Sequence, residues 1–216
     1  MGGVNPLLKL HLIKIDKRKT LDYPLNALQN FKSLWTKMIV KKFFFPFLLL
    51  FLFPLTAQSK IQNGTLNLNS SKFSENDLVG LRGEWTFYWK KFLSPEDLKN
   101  KELLKKGTSF KVPGNWTDKL NGSLPKFGYG TFLLNVQGAI KGTDLSLILK
   151  DISSSFQAFI IQGNEIKLLG QKGKAATTKK DSIPEYGEFI SHFKVKAPSF
   201  TILIHLANFH HKKGGL

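Results

Sequence analysis

Residues 83–92 read GEWTFYWKKF, and the fold turns on how this stretch is read. Trp85, Phe87 and Trp89 fall on one side of a two-residue period, while Glu84, Thr86, Tyr88 and Lys90 fall on the other. A helix would scatter these residues around its circumference. An extended strand sorts them into one apolar and one polar face. The same alternation recurs in GTFLLNVQG (130–138), DLSLILKD (144–151), SSFQAFIIQ (154–162), EFISHFKVK (188–196) and SFTILIHLA (199–207). Six such segments predict an all-β chain, an antiparallel β-sandwich or jelly roll. In IIQGNEIKLLG (160–170), two apolar runs flank Gly163-Asn164, a pair that tolerates positive φ and signals a tight hairpin.

A helix is expected only at SPEDLKNKELLKKG (94–107). Ser94 would serve as N-cap, Pro95 would open the first turn, lysines would lie late and Gly107 would stop it. The stretches 63–76 and 170–187 are polar, and we expect a lead-in and a long exposed loop there.

Apolar residues make up 42% of the 216-residue chain and aromatics 12%, enough for one sizeable core. The net charge is +17, with 9 Lys/Arg against 2 Asp/Glu in residues 1–57. The lysines are dispersed, and Arg18 and Arg82 are the only arginines. Nucleic-acid readers rely on Arg for bidentate contacts, so no nucleic-acid partner is expected. The absence of Cys removes disulfides, thiolate metal sites and thiol nucleophiles together.

Before the strand-rich part comes MIVKKFFFPFLLLFLFPLTAQSK (38–60). Lys41 and Lys42 precede an apolar run from Phe43 to Leu55, and Ala57 offers a small residue for cleavage. This is the pattern of a secretory signal. Thirteen helical residues span about 20 Å, short of the ~30 Å hydrocarbon core, so cleavage after Ala57 is a stronger reading than retention as an anchor. The expected organisation is an N-terminal extension (1–37) upstream of the true initiator Met38, a signal peptide (38–57), a polar lead-in (58–77) and a sandwich domain (78–216). Export to the periplasm or another extracytoplasmic space follows, with membrane anchoring if the signal is retained.

Candidate chemistry is sparse. Gly173-Lys174 lacks the remainder of a phosphate loop, Gly128-Tyr129-Gly130 lacks the third glycine of a dinucleotide fingerprint, and DISSSF (151–156) lacks the glycines of a nucleophile elbow. Asp151 and Glu188 would serve a glycosidase only if the fold placed them across a cleft. We expect no catalytic residue, metal or cofactor. His210 and His211 are adjacent, so a strand would turn them to opposite faces. Trp116, in VPGNWT (112–117), is either a plug closing one end of the sandwich or a stacking platform for a sugar ring.

Taken in order, LRGEWTFYWKKFLSPEDL (81–98), FKVPGNWT (110–117), GYGTFLLNV (128–136), FQAFIIQGNEI (156–166) and LANFHHKKGGL (206–216) resemble the extracytoplasmic galactose-binding-like jelly roll of bacterial seven-transmembrane receptors with diverse intracellular signalling modules. The resemblance spans residues 78–216. The middle blocks are also similar to the non-catalytic sugar-binding sandwich of family 2 glycoside hydrolases, with its Pro-x-x-Trp turn. The receptor resemblance implies a non-catalytic sensor domain for a small-molecule or carbohydrate ligand, separated from its membrane helices and missing a closing strand. A secreted carbohydrate-binding module is the alternative. Trp116, Tyr129, Asn208 and His210, near strand ends, are the expected ligand contacts.

Overall fold

The computed structural model describes residues 10–14, 61–68, 78–118 and 124–216, all within one compact unit. The strands are β1 (Leu10–Lys14), β2 (Thr65–Asn67), β3 (Leu78–Gly80), β4 (Gly83–Trp89), β5 (Thr108–Val112), β6 (Gly128–Gln137), β7 (Asp144–Leu149), β8 (Ser155–Gln162), β9 (Glu165–Lys172), β10 (Phe189–Lys194) and β11 (Ser199–Asn208). Among the described residues they form two sheets. One is ordered β10-β7-β1-β3. The other runs β5-β4-β6-β11-β8-β9, with β2 added parallel to β6. Every other pairing is antiparallel, so the chain is an all-β sandwich as the alternation predicts.

The inward residues of the two sheets meet in one core. Leu145, Leu147 and Leu149 of β7 are buried with Phe132 and Leu134 of β6 and with Ile202, Ile204 and Leu206 of β11. Aromatic rings fill the space beside β4. Phe87 lies 4.5 Å from Phe132 and 5.2 Å from Phe110, and Phe110 meets Phe132 edge-on at 5.1 Å. Tilted and edge-on pairs bring the positive rim of one ring to the negative face of the next, adding to the gain from burial. Phe156–Phe189 and Phe193–Phe200 join the two sheets edge-on at two separate points along the strands, at 5.4 and 5.3 Å.

Three expectations about boundaries are corrected. The lead-in is not outside the fold, since Ile61, Leu66 and Leu68 are buried in the core and β2 pairs with β6. The N-terminal extension is not wholly dispensable, because β1 lies between β7 and β3 with Leu12 fully buried opposite Leu147. The segment 94–107 is not one helix. It forms a 3-10 turn over Asp97–Lys99 and then a short helix α1 (Lys101–Leu104). Asn100 explains the break: it is extended, and its Oδ1 accepts from the Leu103 N–H at 3.1 Å, capping a new helix inside the predicted one. Ser94 still acts locally, its Oγ accepting from the Asp97 N–H while its own N–H donates to the Asp97 carboxylate.

The hairpin forms as expected, β8 and β9 being joined by Gly163-Asn164 with Gly163 at φ +60°. The 170–187 loop begins later than predicted, after β9, and is tied down. The Glu185 carboxylate accepts from the Gly173 N–H at 2.8 Å and from Lys172 at 3.0 Å, which together hold its pKa below the ordinary carboxylate value. The signal-like segment 38–57 lies outside the described residues. Within the described residues, no helix is long and apolar enough to cross a membrane.

Phe132 has no exposed surface and touches two other rings. Phe132→Ala should therefore lower unfolding stability by about 3–5 kcal/mol, read from the denaturant midpoint at unchanged slope.

Candidate functional site

The chain's last described residues fold back on the loop that carries Trp116. The Trp116 N–H donates to the Gly214 carbonyl and the Gly114 N–H to the Leu216 carbonyl, both at 2.8 Å. The Trp116 ring lies 5.1 Å from Trp89, edge-on, and is stacked near-parallel to Phe87 at 6.4 Å. Its indole N–H donates to the Lys126 carbonyl at 3.1 Å. With 0% of its surface exposed, Trp116 plugs this end of the sandwich and offers no face to a ligand here.

Asn208 belongs to the same construction. It is fully buried. Its Oδ1 accepts from the His211 N–H at 2.9 Å, while its amide donates to the His211 carbonyl at 2.9 Å and the Lys126 carbonyl at 3.4 Å. The side chain is thus consumed in holding the 208–211 turn, which sends the chain back towards Trp116.

The other two expected contacts sit elsewhere. Tyr129 faces outward from β6, half-buried against Phe92 at 5.0 Å. His210 is exposed, and its Nε2–H donates to the Ser182 carbonyl at 3.2 Å. Of the four, only Trp116 and Asn208 share a partner, the Lys126 carbonyl. Glu188 is paired with Lys150 at 2.8 Å, and Asp151 occupies a turn at φ +60°. Among the described residues no group of three or more His, Asp or Glu converges as a metal site.

The outward face of the larger sheet is built in two parts. In the first, Tyr88, Leu133 and Leu203 are buried beneath the 93–104 excursion, with Leu93, Leu98, Leu103 and Leu104 packed on them. His205 lies beside this patch, stacked under Phe92 at 4.7 Å with Phe159 edge-on at 5.2 Å. Its Nε2–H donates to the Leu93 carbonyl at 3.1 Å. Burial penalises the imidazolium and pushes its pKa down to about 4, the Leu93 carbonyl offsetting part of that effect. Thr131 fixes the covering loop, accepting from the Leu93 N–H and donating to the Lys91 carbonyl.

The second part is a shallow cavity of about 230 Å³ lined by Asn135, Val136, Gln137, Ile161, Gly163, Ser199, Phe200 and Thr201. The β6–β11 register sets Ser199 opposite Gln137 and Thr201 opposite Asn135. Thr201 Oγ1 donates to Asn135 Oδ1 at 2.8 Å, which orients the Asn135 amide. The nearby turn is held by Gln162, which accepts from the Lys196 N–H at 2.6 Å and donates to the Lys194 carbonyl at 3.0 Å. The lining therefore offers two carboxamides, two hydroxyls and the apolar Ile161, with no charged side chain. Such a surface can exchange hydrogen bonds with a small neutral polar molecule.

Sequence reasoning missed this cavity because each of its polar residues occupies an ordinary solvent-facing strand position. The usable signal was a change along the outward faces, from Leu133 and Leu203 to Asn135 and Thr201, at matched points of two strands.

No family model and no curated protein matches the chain. Among solved structures it is similar to two crystal structures of a GH2 β-galacturonidase from Eisenbergiella tayi, one bound to glycerol and one to galacturonate. Each match has 14% identity and a TM-score of 0.40 and covers 61% of this chain and 21% of that one. The chain thus spans about a fifth of the length of those enzymes, and at this TM-score the likeness assigns no activity.

Two outcomes are expected. A Cβ on Gly214 would overlap the Trp116 ring atoms Cζ2 and Cε2 and crowd Asn208 Nδ2 at 2.7 Å. Gly214→Ala should cost about 1–3 kcal/mol, measured by urea unfolding. The second concerns pH. The folded His205 pKa lies below its ordinary value of 6.5, so the folded state favours neutral imidazole and the unfolded state takes the proton first. Its contribution is complete above about pH 6.5 and is lost as pH falls towards about 4. His205→Gln should flatten the stability profile in that window relative to the unsubstituted protein, as followed by melting temperature against pH.

Proposed function

We propose that the sandwich is a non-catalytic binding module for a small, neutral, polyhydroxylated ligand such as a sugar. The observation that carries this reading is the uncharged cup of Asn135, Gln137, Ser199 and Thr201 beside Ile161. Carboxamides and hydroxyls supply both donors and acceptors, which suits the hydroxyls of a sugar, while a charged ligand would find no counter-charge in the lining. The resemblance of residues 78–216 extends the reading to the exported sensor domain of a signal receptor, acting in the periplasm or another extracytoplasmic space. Membrane association would come through the apolar Phe43–Leu55 segment or a parent receptor. A sensor of this kind works by binding two receptor states unequally. A secreted carbohydrate-binding module is the second reading, favoured by the position of the cup on an open sheet face that can approach a glycan surface. Retention on insoluble glycan would select it.

The test is thermal unfolding of the full chain in mild detergent with a panel of neutral monosaccharides and polyols, and with galacturonate as the charged comparison. A ligand at one hundred times its Kd adds about 2.7 kcal/mol. For a domain of this size that raises Tm by about 5–10 °C. The shift should occur with a neutral sugar and disappear in Asn135→Ala and Thr201→Ala, whose own Tm values should stay close to the parent's because both positions reach solvent. Absence of any shift across the panel, or a shift that survives both substitutions, overturns the assignment of the cup.

A further inference from the structure

Five positions of β1 pair antiparallel with β7, from Leu10↔Leu149 to Lys14↔Leu145, and three pair antiparallel with β3, from His11↔Gly80 to Ile13↔Leu78. β1 is thus an interior strand of its sheet although it is the first of the described strands in sequence. Among the described residues, β1 is the sole strand partner of β3, and it covers the side of β7 that β10 leaves open. Leu12 has no exposed surface and sits opposite Leu147, itself fully buried. Without β1 the ladders on both flanks would be unpaired and the core around Leu147 would open to water.

The covalent link to this strand is long. Residues 15–60 separate β1 from Ile61, the next described residue of the core. Forty-six residues of sequence therefore lie between the strand and the remainder of the sandwich. Ladders on both flanks and the buried Leu12 hold the strand, and these interactions are made by residues 10–14 themselves. The signal-like segment whose expected cleavage point follows Ala57 also lies between β1 and the remainder of the sandwich.

We propose that the slot between β3 and β7 is a strand-acceptor site, and that Leu10–Lys14 occupies it as a non-covalently held, exchangeable donor strand. Its recognition is the β-augmentation mode: main-chain ladders supply affinity, and the buried pocket for Leu12 supplies register and selectivity. A cut anywhere in residues 17–56 would sever the chain without emptying the slot. The folded unit would then be a two-piece complex whose first piece can be replaced by an equivalent extended segment.

The experiment uses the full chain, in mild detergent, with a site-specific protease sequence inserted between Lys19 and Thr20. After cutting, the 1–19 fragment should co-elute with the remainder on size exclusion. A fluorescent peptide of residues 9–16 (KLHLIKID) should then exchange into the cut protein with a rise in polarisation, and the same peptide carrying Leu12→Asp should bind at least tenfold more weakly. The uncut chain carrying Leu12→Asp should melt at a lower temperature than the parent. Departure of the 1–19 fragment on cutting, or equal binding of the two peptides, overturns the proposal.

Discussion

The ten-residue antiparallel ladder between β6 and β11 governs the arrangement of the rest. It runs without interruption from Ser199↔Gln137 to Asn208↔Gly128. Because side chains alternate with period two, this one register decides the fate of twenty residues. Inward it stacks Phe132, Leu134 and Val136 beside Ile202, Ile204 and Leu206, the floor of the core. Outward it sets Thr201 against Asn135, Leu203 against Leu133 and His205 against Thr131. A slip of one residue would bury Thr201 and His205 and turn the isoleucines to water. At its far end the ladder delivers Asn208 to the point where its amide can turn the chain back into the Trp116 loop.

Much of this was legible in the sequence, and the limits have physical causes. Strands β4, β6, β7, β8, β10 and β11 carry their alternation over six or more residues, long enough for periodicity to register. β2 and β3 are three residues each, and no period is visible over so short a span; they are strands because β6 and β1 offer them partners. β1 does alternate, as Leu10-His11-Leu12, but the long apolar run from Phe43 to Leu55 read as an export signal, which placed everything upstream outside the fold. The split of the 94–107 helix hung on Asn100, whose preference for capping outweighs the helical tendency of its neighbours. Trp116 was legible as one of two alternatives, and burial selects the plug.

Charge explains little of the architecture. The ion pairs Lys91–Asp97, Lys150–Glu188, Lys172–Glu185 and Lys196–Glu165 all keep substantial solvent exposure, and pairs of that kind contribute at most about 1 kcal/mol each. Their effect is local, as at Glu185, which pins the loop after β9. The fold instead rests on apolar burial, and aromatic rings carry a large part of it: Phe87 alone contacts Trp89, Phe110, Trp116 and Phe132. Large rings in mutual contact remove much apolar area from water per ordered residue. That is consistent with a sandwich of this size holding together without a disulfide.

The way the sandwich closes also bears on where binding can occur. Recognition residues in β-sandwiches are usually sought in the loops at strand ends, which a rigid scaffold positions and leaves free. At the Trp116 end that freedom is spent: the indole N–H, both groups of the Asn208 amide, the N–H groups of Gly114 and Trp116 and the carbonyls of Gly214 and Leu216 are satisfied internally. A ligand entering there would have to break those bonds and replace them, recovering only the difference. On the outer face no such exchange is required at Asn135 and Thr201. Their one mutual hydrogen bond fixes the amide oxygen and leaves the Asn135 side-chain NH2 without a partner among the described residues, the backbone N–H donating to the Gly64 carbonyl. Among the described residues, the sheet face, built by strand register, thus holds polar groups both ordered and solvent-facing at Asn135 and Thr201.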